Sequence, residues 1–197
     1  MKSTKVFGIG FHKTGTSTLA SALRILGYRV AGTFGIDDAD IGLTASKQAL
    51  RIARDWDAAQ DNPWPIVYQD LDRAYPHSKF ILTTRDSDEW LASVVRHFGG
   101  ESTPMREWIY GVGDPVGNEA IYKKRYEEHN REVLEYFENR QNDLLVLPIT
   151  EGAGWAQLCP FLGLEEPASE FPHSNSHRDR RIDRTILRKL RTLRVRR

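Results

Sequence analysis

A single cysteine, Cys159, is present in 197 residues, which rules out an internal disulfide and a cysteine-rich zinc centre. A cytoplasmic compartment is the expectation that follows. Long apolar runs are also missing, and Met1-Lys2-Ser3-Thr4-Lys5 leads straight into a short strand-like segment. Neither a signal peptide nor a membrane span is therefore expected. Net charge is nearly absent at +1, from 28 Lys+Arg against 27 Asp+Glu. With 40% apolar and 28% charged residues, the composition is that of one soluble folded domain and excludes disordered or collagen-like classes.

The near-neutral total hides an asymmetry. Residues 177–197 carry ten Arg or Lys and two Asp, a net +8, so residues 1–176 carry −7. The tail has Ile182, Ile186, Leu187, Leu190 and Leu193 at helical spacing. A basic amphipathic helix docked on the protein's own core, or on a second subunit in a homodimer, is expected there, in preference to nucleic acid or membrane. The expected division is an α/β domain over 1–176 and this helix over 177–197.

Short apolar runs alternate with amphipathic stretches, which argues for an α/β fold. Strands are expected at 6–9, 28–30, 57–60, Lys79–Thr83 and 144–148, and helices at 16–26, 44–56, 65–74, from Asp86 onward, at 119–139 and at Trp155–Leu162. Asp86 with Glu89 has the spacing of a capping box. Residues 98–118 contain five glycines and two prolines and read as a long irregular insert, of the kind that forms lids.

The most informative stretch is Gly8-Ile9-Gly10-Phe11-His12-Lys13-Thr14-Gly15-Thr16-Ser17-Thr18, between the first strand and the first helix. Glycines let backbone N–H groups close on an anion, the helix terminus adds partial positive charge, and Lys, Thr and Ser add donors. Gly10 and Gly15 keep the G-x-x-x-x-G spacing of nucleotide triphosphatases, but Thr16 stands where those enzymes place lysine, and Lys13 lies three residues earlier. A Mg²⁺-dependent kinase or hydrolase would lack its key charge. It remains an alternative, as does a non-catalytic nucleotide-binding module.

Phe11-His12-Lys13-Thr14-Gly15-Thr16-Ser17-Thr18 resembles the 5′-phosphosulfate loop of the sulfotransferase family, while Asp61-Asn62-Pro63, Leu71-Asp72 before Tyr75-Pro76, and Cys159-Pro160-Phe161-Leu162-Gly163 followed by Phe171-Pro172-His173-Ser174-Asn175 resemble its bacterial-type branch. Ile81-Leu82-Thr83-Thr84-Arg85-Asp86 through Ser93 resembles that family's 3′-phosphate segment, with its arginine at a strand end and its serine eight residues on. The resemblance implies a P-loop-like parallel sheet in a three-layer α/β/α arrangement, with 3′-phosphoadenosine 5′-phosphosulfate as donor and 3′,5′-bisphosphoadenosine as product. It implies that Lys13, Thr14, Gly15, Thr16, Ser17, Thr18, Arg85 and Ser93 hold the nucleotide without a metal, and that the acceptor is a small molecule, glycan or lipid. Arg178 and Arg180 are placed to reach the 3′-phosphate. Asp61, in Asp61-Asn62-Pro63, occupies the position similar to the family's proton acceptor. Asp57, Asp70 and the loop residue His12 compete for that role, while His97 and Trp90 are expected to shape the acceptor side or the core.

Overall fold

A computed structural model describes residues 4–173 of the chain. Arg178, Arg180 and the expected tail helix lie outside them. Five parallel strands form one sheet in the order β2-β3-β1-β4-β5: β1 (Val6–Gly8), β2 (Val30–Ala31), β3 (Ala58–Ala59), β4 (Lys79–Thr83) and β5 (Leu144–Leu147). The helices are α1 (Thr16–Ile25), α2 (Ile41–Ala53), α3 (Tyr68–Ala74), α4 (Ser87–Phe98), α5 (Pro104–Tyr110), α6 (Glu119–Tyr136) and α7 (Trp155–Leu162). Strand side chains alternate in direction, and the sheet accordingly has two cores. Phe7, Ile9, Phe80 and Leu82 pack with residues of α2 to α6 on one face, while Val6, Ile81 and Leu147 pack with α1 and α7 on the other. This is the three-layer α/β/α arrangement.

The first strand–helix unit follows from local sequence. Leu19 and Leu23, four residues apart and fully buried, carry the packing face of α1, and truncating either to alanine would cost about 2–5 kcal/mol. Gly27, at φ 82, ends the helix as the donor of Gly27 N–H to Arg24 O, with Tyr28 N–H on Leu23 O at 2.9 Å. That paired closure needs a residue with no Cβ penalty in the left-handed region.

Boundaries shift where pairing or capping decides them. α2 starts at Ile41 and ends at Ala53, and α3 starts at Tyr68, because residues before it form tight turns after Pro63 and Pro65. Asp86 does cap α4, accepting from Asp88 and Glu89 N–H, but Glu89 does not complete a capping box. Its carboxylate turns to Arg85 instead.

The insert at 98–118 is not irregular throughout. Thr103 caps α5 and Pro104 occupies its first turn, while Met105, Ile109 and Tyr110 are buried. Arg106, 7% exposed, donates Nε–H to Gly113 O at 2.8 Å and an Nη2 proton to Glu101 O, and its guanidinium lies over Phe98. Tyr122 also donates to Gly113 O. Arg106 thus closes the insert on itself, and Tyr122, from α6, ties it to the core. A Thr-Pro pair followed by a helix-period Met, Ile and Tyr is the signal that marks such a helix in sequence.

Candidate active site

The sheet order reverses around β1, which has β3 on one side and β4 on the other. In open α/β sheets, ligands collect beyond the carboxyl ends of the strands at such a point. There Ile9 N–H bonds Ile81 O at 2.8 Å, prolonging the β1–β4 ladder, and the chain then leaves the sheet. Gly10 lies so close to β4 that a Cβ would stand 2.1 Å from Thr83 Oγ1, so only glycine fits. Thr14 donates its hydroxyl proton to Phe11 O at 2.6 Å, and its oxygen lies 2.6 Å from Thr83 Oγ1. With its one proton committed, Thr14 accepts from Thr83, and the loop is closed onto the strand end.

Two residues of the loop take left-handed conformations, Lys13 at φ 68 and Gly15 at φ 101. The turn at Gly15 starts α1 with no side-chain cap, so the helix opens its first-turn N–H groups and positive dipole end toward the same space. A cleft of about 310 Å³ lies there, lined by Lys13, Thr16, Ser17 and Thr18 from this segment. Arg85, Ser93, His97 and Phe98 line it from the β4–α4 side, and Asp61 from the end of β3.

Two of the candidate side chains, Arg85 and Asp61, have clear physical anchors. Arg85 is fixed through its backbone: its N–H donates to Tyr126 Oη at 2.9 Å and its carbonyl accepts the Tyr126 hydroxyl at 2.8 Å. Its guanidinium gives two bonds to the exposed Glu89 and keeps its remaining N–H groups for other acceptors. Ser93, two turns along α4, lines the same wall. Asp61, at φ 71, accepts Asn62 N–H on Oδ1 at 2.8 Å and the Thr16 hydroxyl on Oδ2 at 3.1 Å. Burial pushes its carboxyl above the usual range, against the pull of those two hydrogen bonds and of the Lys13 charge.

The competing acids lie elsewhere. Asp57, at the opposite end of β3, accepts from Arg29 Nε at 2.9 Å and Nη2 at 3.3 Å. Asp70 pairs with Arg73 on the surface of α3. His12 lines the cleft but is 6% exposed, with Nδ1 against Asn62 Nδ2 at 2.8 Å and Nε2 against Tyr110 Oη at 3.2 Å. Trp90 is fully buried, donates to His12 O at 2.8 Å and stacks on Tyr126, so it belongs to the core beneath the site. Sequence reasoning missed Tyr126, Thr83 and Thr150, the last a lining residue from the turn after β5. Only Thr83, at a strand end beside the Gly10 loop, carried a local signal.

A parallel sheet switches order beside a glycine-rich loop, with two cations and a row of hydroxyls facing one cleft, and the chemistry of that cleft suits an anionic ligand. The sequence places the chain more narrowly. Residues 5–116 and 103–180 match the sulfotransferase domain family, and the chain belongs to that family. It is also similar to "Ava biosynthesis cluster protein M" of Aspergillus versicolor, 26% identical over 211 residues that cover 86% of this chain and 80% of that protein. Among the described residues, no helix is long and apolar enough to cross a membrane.

Proposed function

We propose that the protein transfers a sulfuryl group from 3′-phosphoadenosine 5′-phosphosulfate to the hydroxyl of a small-molecule acceptor in the cytoplasm, without a metal. The observation that carries this reading is the meeting of Lys13, Arg85 with Ser93, and Asp61 in one cleft from three different strand ends. The donor set suits the nucleotide: the first turn of α1, Thr16, Ser17 and Thr18 would hold the 5′-phosphate, and Arg85 with Ser93 the 3′-phosphate. When bound, this donor supplies the activated sulfuryl group. Lys13 faces the negative charge that develops on the bridging oxygen, and Asp61 takes the proton from the acceptor hydroxyl. A carboxylate held above its usual pKa is the better base for that step. The relative's name refers to a biosynthesis cluster, which supports a small molecule as acceptor ahead of a glycan or lipid.

Sulfuryl transfer from labelled donor to an acceptor pool, measured in chelator, tests this. Thermal shift with 3′,5′-bisphosphoadenosine and with Mg²⁺-ATP complements it, since a ligand at a hundredfold excess over Kd stabilises by about 2.7 kcal/mol. A shift with the bisphosphate well above that with ATP, together with transfer in chelator, is the expected result. A shift confined to Mg²⁺-ATP would favour a kinase or hydrolase, and binding without transfer a nucleotide-binding module.

A further inference from the structure

His12 stands inside the anion loop with both ring nitrogens engaged. Asn62 Nδ2, 2.8 Å from Nδ1, can only donate, so Nδ1 holds a lone pair, and Nε2 carries the proton toward Tyr110 Oη at 3.2 Å. The ring stacks on Trp90 at an interplanar angle of 12° and meets the edge of Phe98, with centroids 4.8 Å apart. Burial, together with Arg106, Lys13 and His97 nearby, pushes its pKa down to about 3, and it is neutral throughout the working pH range. A neutral imidazole with its lone pair and its proton both committed has no capacity left to act as a base.

Its partners lead to Asp61. Asn62 N–H bonds Asp61 Oδ1 at 2.8 Å, and Asp61 itself is left-handed at φ 71, an uncommon conformation outside glycine that Asp and Asn tolerate best. On the far side, Tyr110 ends α5, which packs into the core through Met105, Ile109 and Tyr110 itself. We propose that His12, gripping Asn62 on one nitrogen and Tyr110 on the other, is a positioning residue that fixes the Asp61–Asn62 turn and so aims the Asp61 carboxylate into the cleft. The proposal rests on the sulfotransferase reading only for what Asp61 does once aimed. The groups facing Asp61 are Lys13 and Thr16 from the loop and α1, Asn62 from its own turn and Tyr110 from α5. A carboxylate released from the turn gains solvent and titrates lower.

The test is a carbon-13 NMR titration of the Asp61 carboxyl beside steady-state kinetics. His12→Phe should lower the Asp61 pKa toward the ordinary carboxylate range and reduce kcat on the order of 10²-fold, with donor KM within about threefold of wild type. His12→Asn, whose amide oxygen can accept from Asn62 where Nδ1 did, should restore the Asp61 titration and most of kcat. An unmoved Asp61 titration in His12→Phe, or equal damage in His12→Asn, overturns the proposal. If His12→Phe does not fold, Asn62→Ala cuts the same link, and an Asp61 titration unchanged there overturns it equally. A wild-type protein that binds no bisphosphate and transfers no sulfuryl group refutes the sulfotransferase reading instead, and the carboxyl titration still decides whether His12 positions Asp61.

Discussion

Thr16 gives its hydroxyl proton to Asp61 Oδ2 across 3.1 Å, so the first residue of α1 and the turn after β3 share one hydrogen bond. The bond joins the loop side of the cleft, proposed to hold the nucleotide, to the β3 side, proposed to meet the acceptor. A side chain proposed to cradle phosphate thereby also orients the proposed base.

Asp61→Asn keeps size and geometry while removing basicity, so the transfer rate should fall by about 10²–10⁴ with nucleotide affinity retained. Stability should move the other way. The folded protein holds this carboxyl above its unfolded pKa, so the favourable contribution is complete below about pH 3.9 and is lost as pH rises through the folded value. The charged form is therefore the one that folding disfavours, and the neutral asparagine variant, at ease at φ 71, should melt higher at pH 7. Melting curves at pH 7 and pH 3.5 check this; a variant that melts lower at pH 7 contradicts it.

Lys13→Ala should leave the fold intact, because Lys13 lies at the crown of the loop and not in either core. Its loss removes charge stabilisation at the leaving oxygen, worth roughly 3–4 kcal/mol for one well-placed donor, or about 10²–10³ in kcat. Single-turnover kinetics separate this from binding: an unchanged chemical step with weakened donor affinity would make Lys13 a binding residue only.

Arg85→Ala should be structurally mild. Tyr126 holds the backbone of residue 85 by two hydrogen bonds that survive the substitution, and the partly exposed pair with Glu89 is worth only about 0–1 kcal/mol. The variant should bind 3′,5′-bisphosphoadenosine weakly yet match wild type with the 3′-dephospho analogue in calorimetry. A full loss with both nucleotides would show that Arg85 does not read the 3′-phosphate.

Acid should unfold this protein early. His12 and His129 are both buried and both held down to about 3, mainly by burial, with His129 on Ile9 O at 2.7 Å. Groups with depressed folded pKa values contribute stability above the unfolded value near 6.5, lost as pH falls toward the folded one. Between pH 6 and 4 each histidine should take up about one proton on unfolding, which steepens the decline by about 1.4 kcal/mol per pH unit for each. Denaturant unfolding across that range measures the slope, and a flat profile would contradict neutral burial of the pair.

What sequence alone determined lies in short, contiguous stretches. The Leu19–Leu23 face closed by Gly27 and strand Lys79–Thr83 read correctly, and the glycine-rich loop falls between β1 and α1 with Arg85 and Ser93 on the same cleft, because capping, periodicity and turn chemistry act over one or two turns of chain. Tertiary structure decided what depends on residues far apart. β2 and β3 are two residues each and exist only through parallel pairing, Val30 with Ala58 and Ala31 with Ala59. Asp57, Asp61 and Asp70 are equivalent as letters; one end of β3 turns Asp57 to Arg29, the other turns Asp61 to Thr16, and only the second end opens on the cleft. In sequence His12 is a loop residue competing with Asp61 as base; the fold sets Asn62 and Tyr110, 50 and 98 residues away, against its two nitrogens. A hydrogen-bond partner at that separation is set by how the sheet stacks its layers, and no local pattern encodes it.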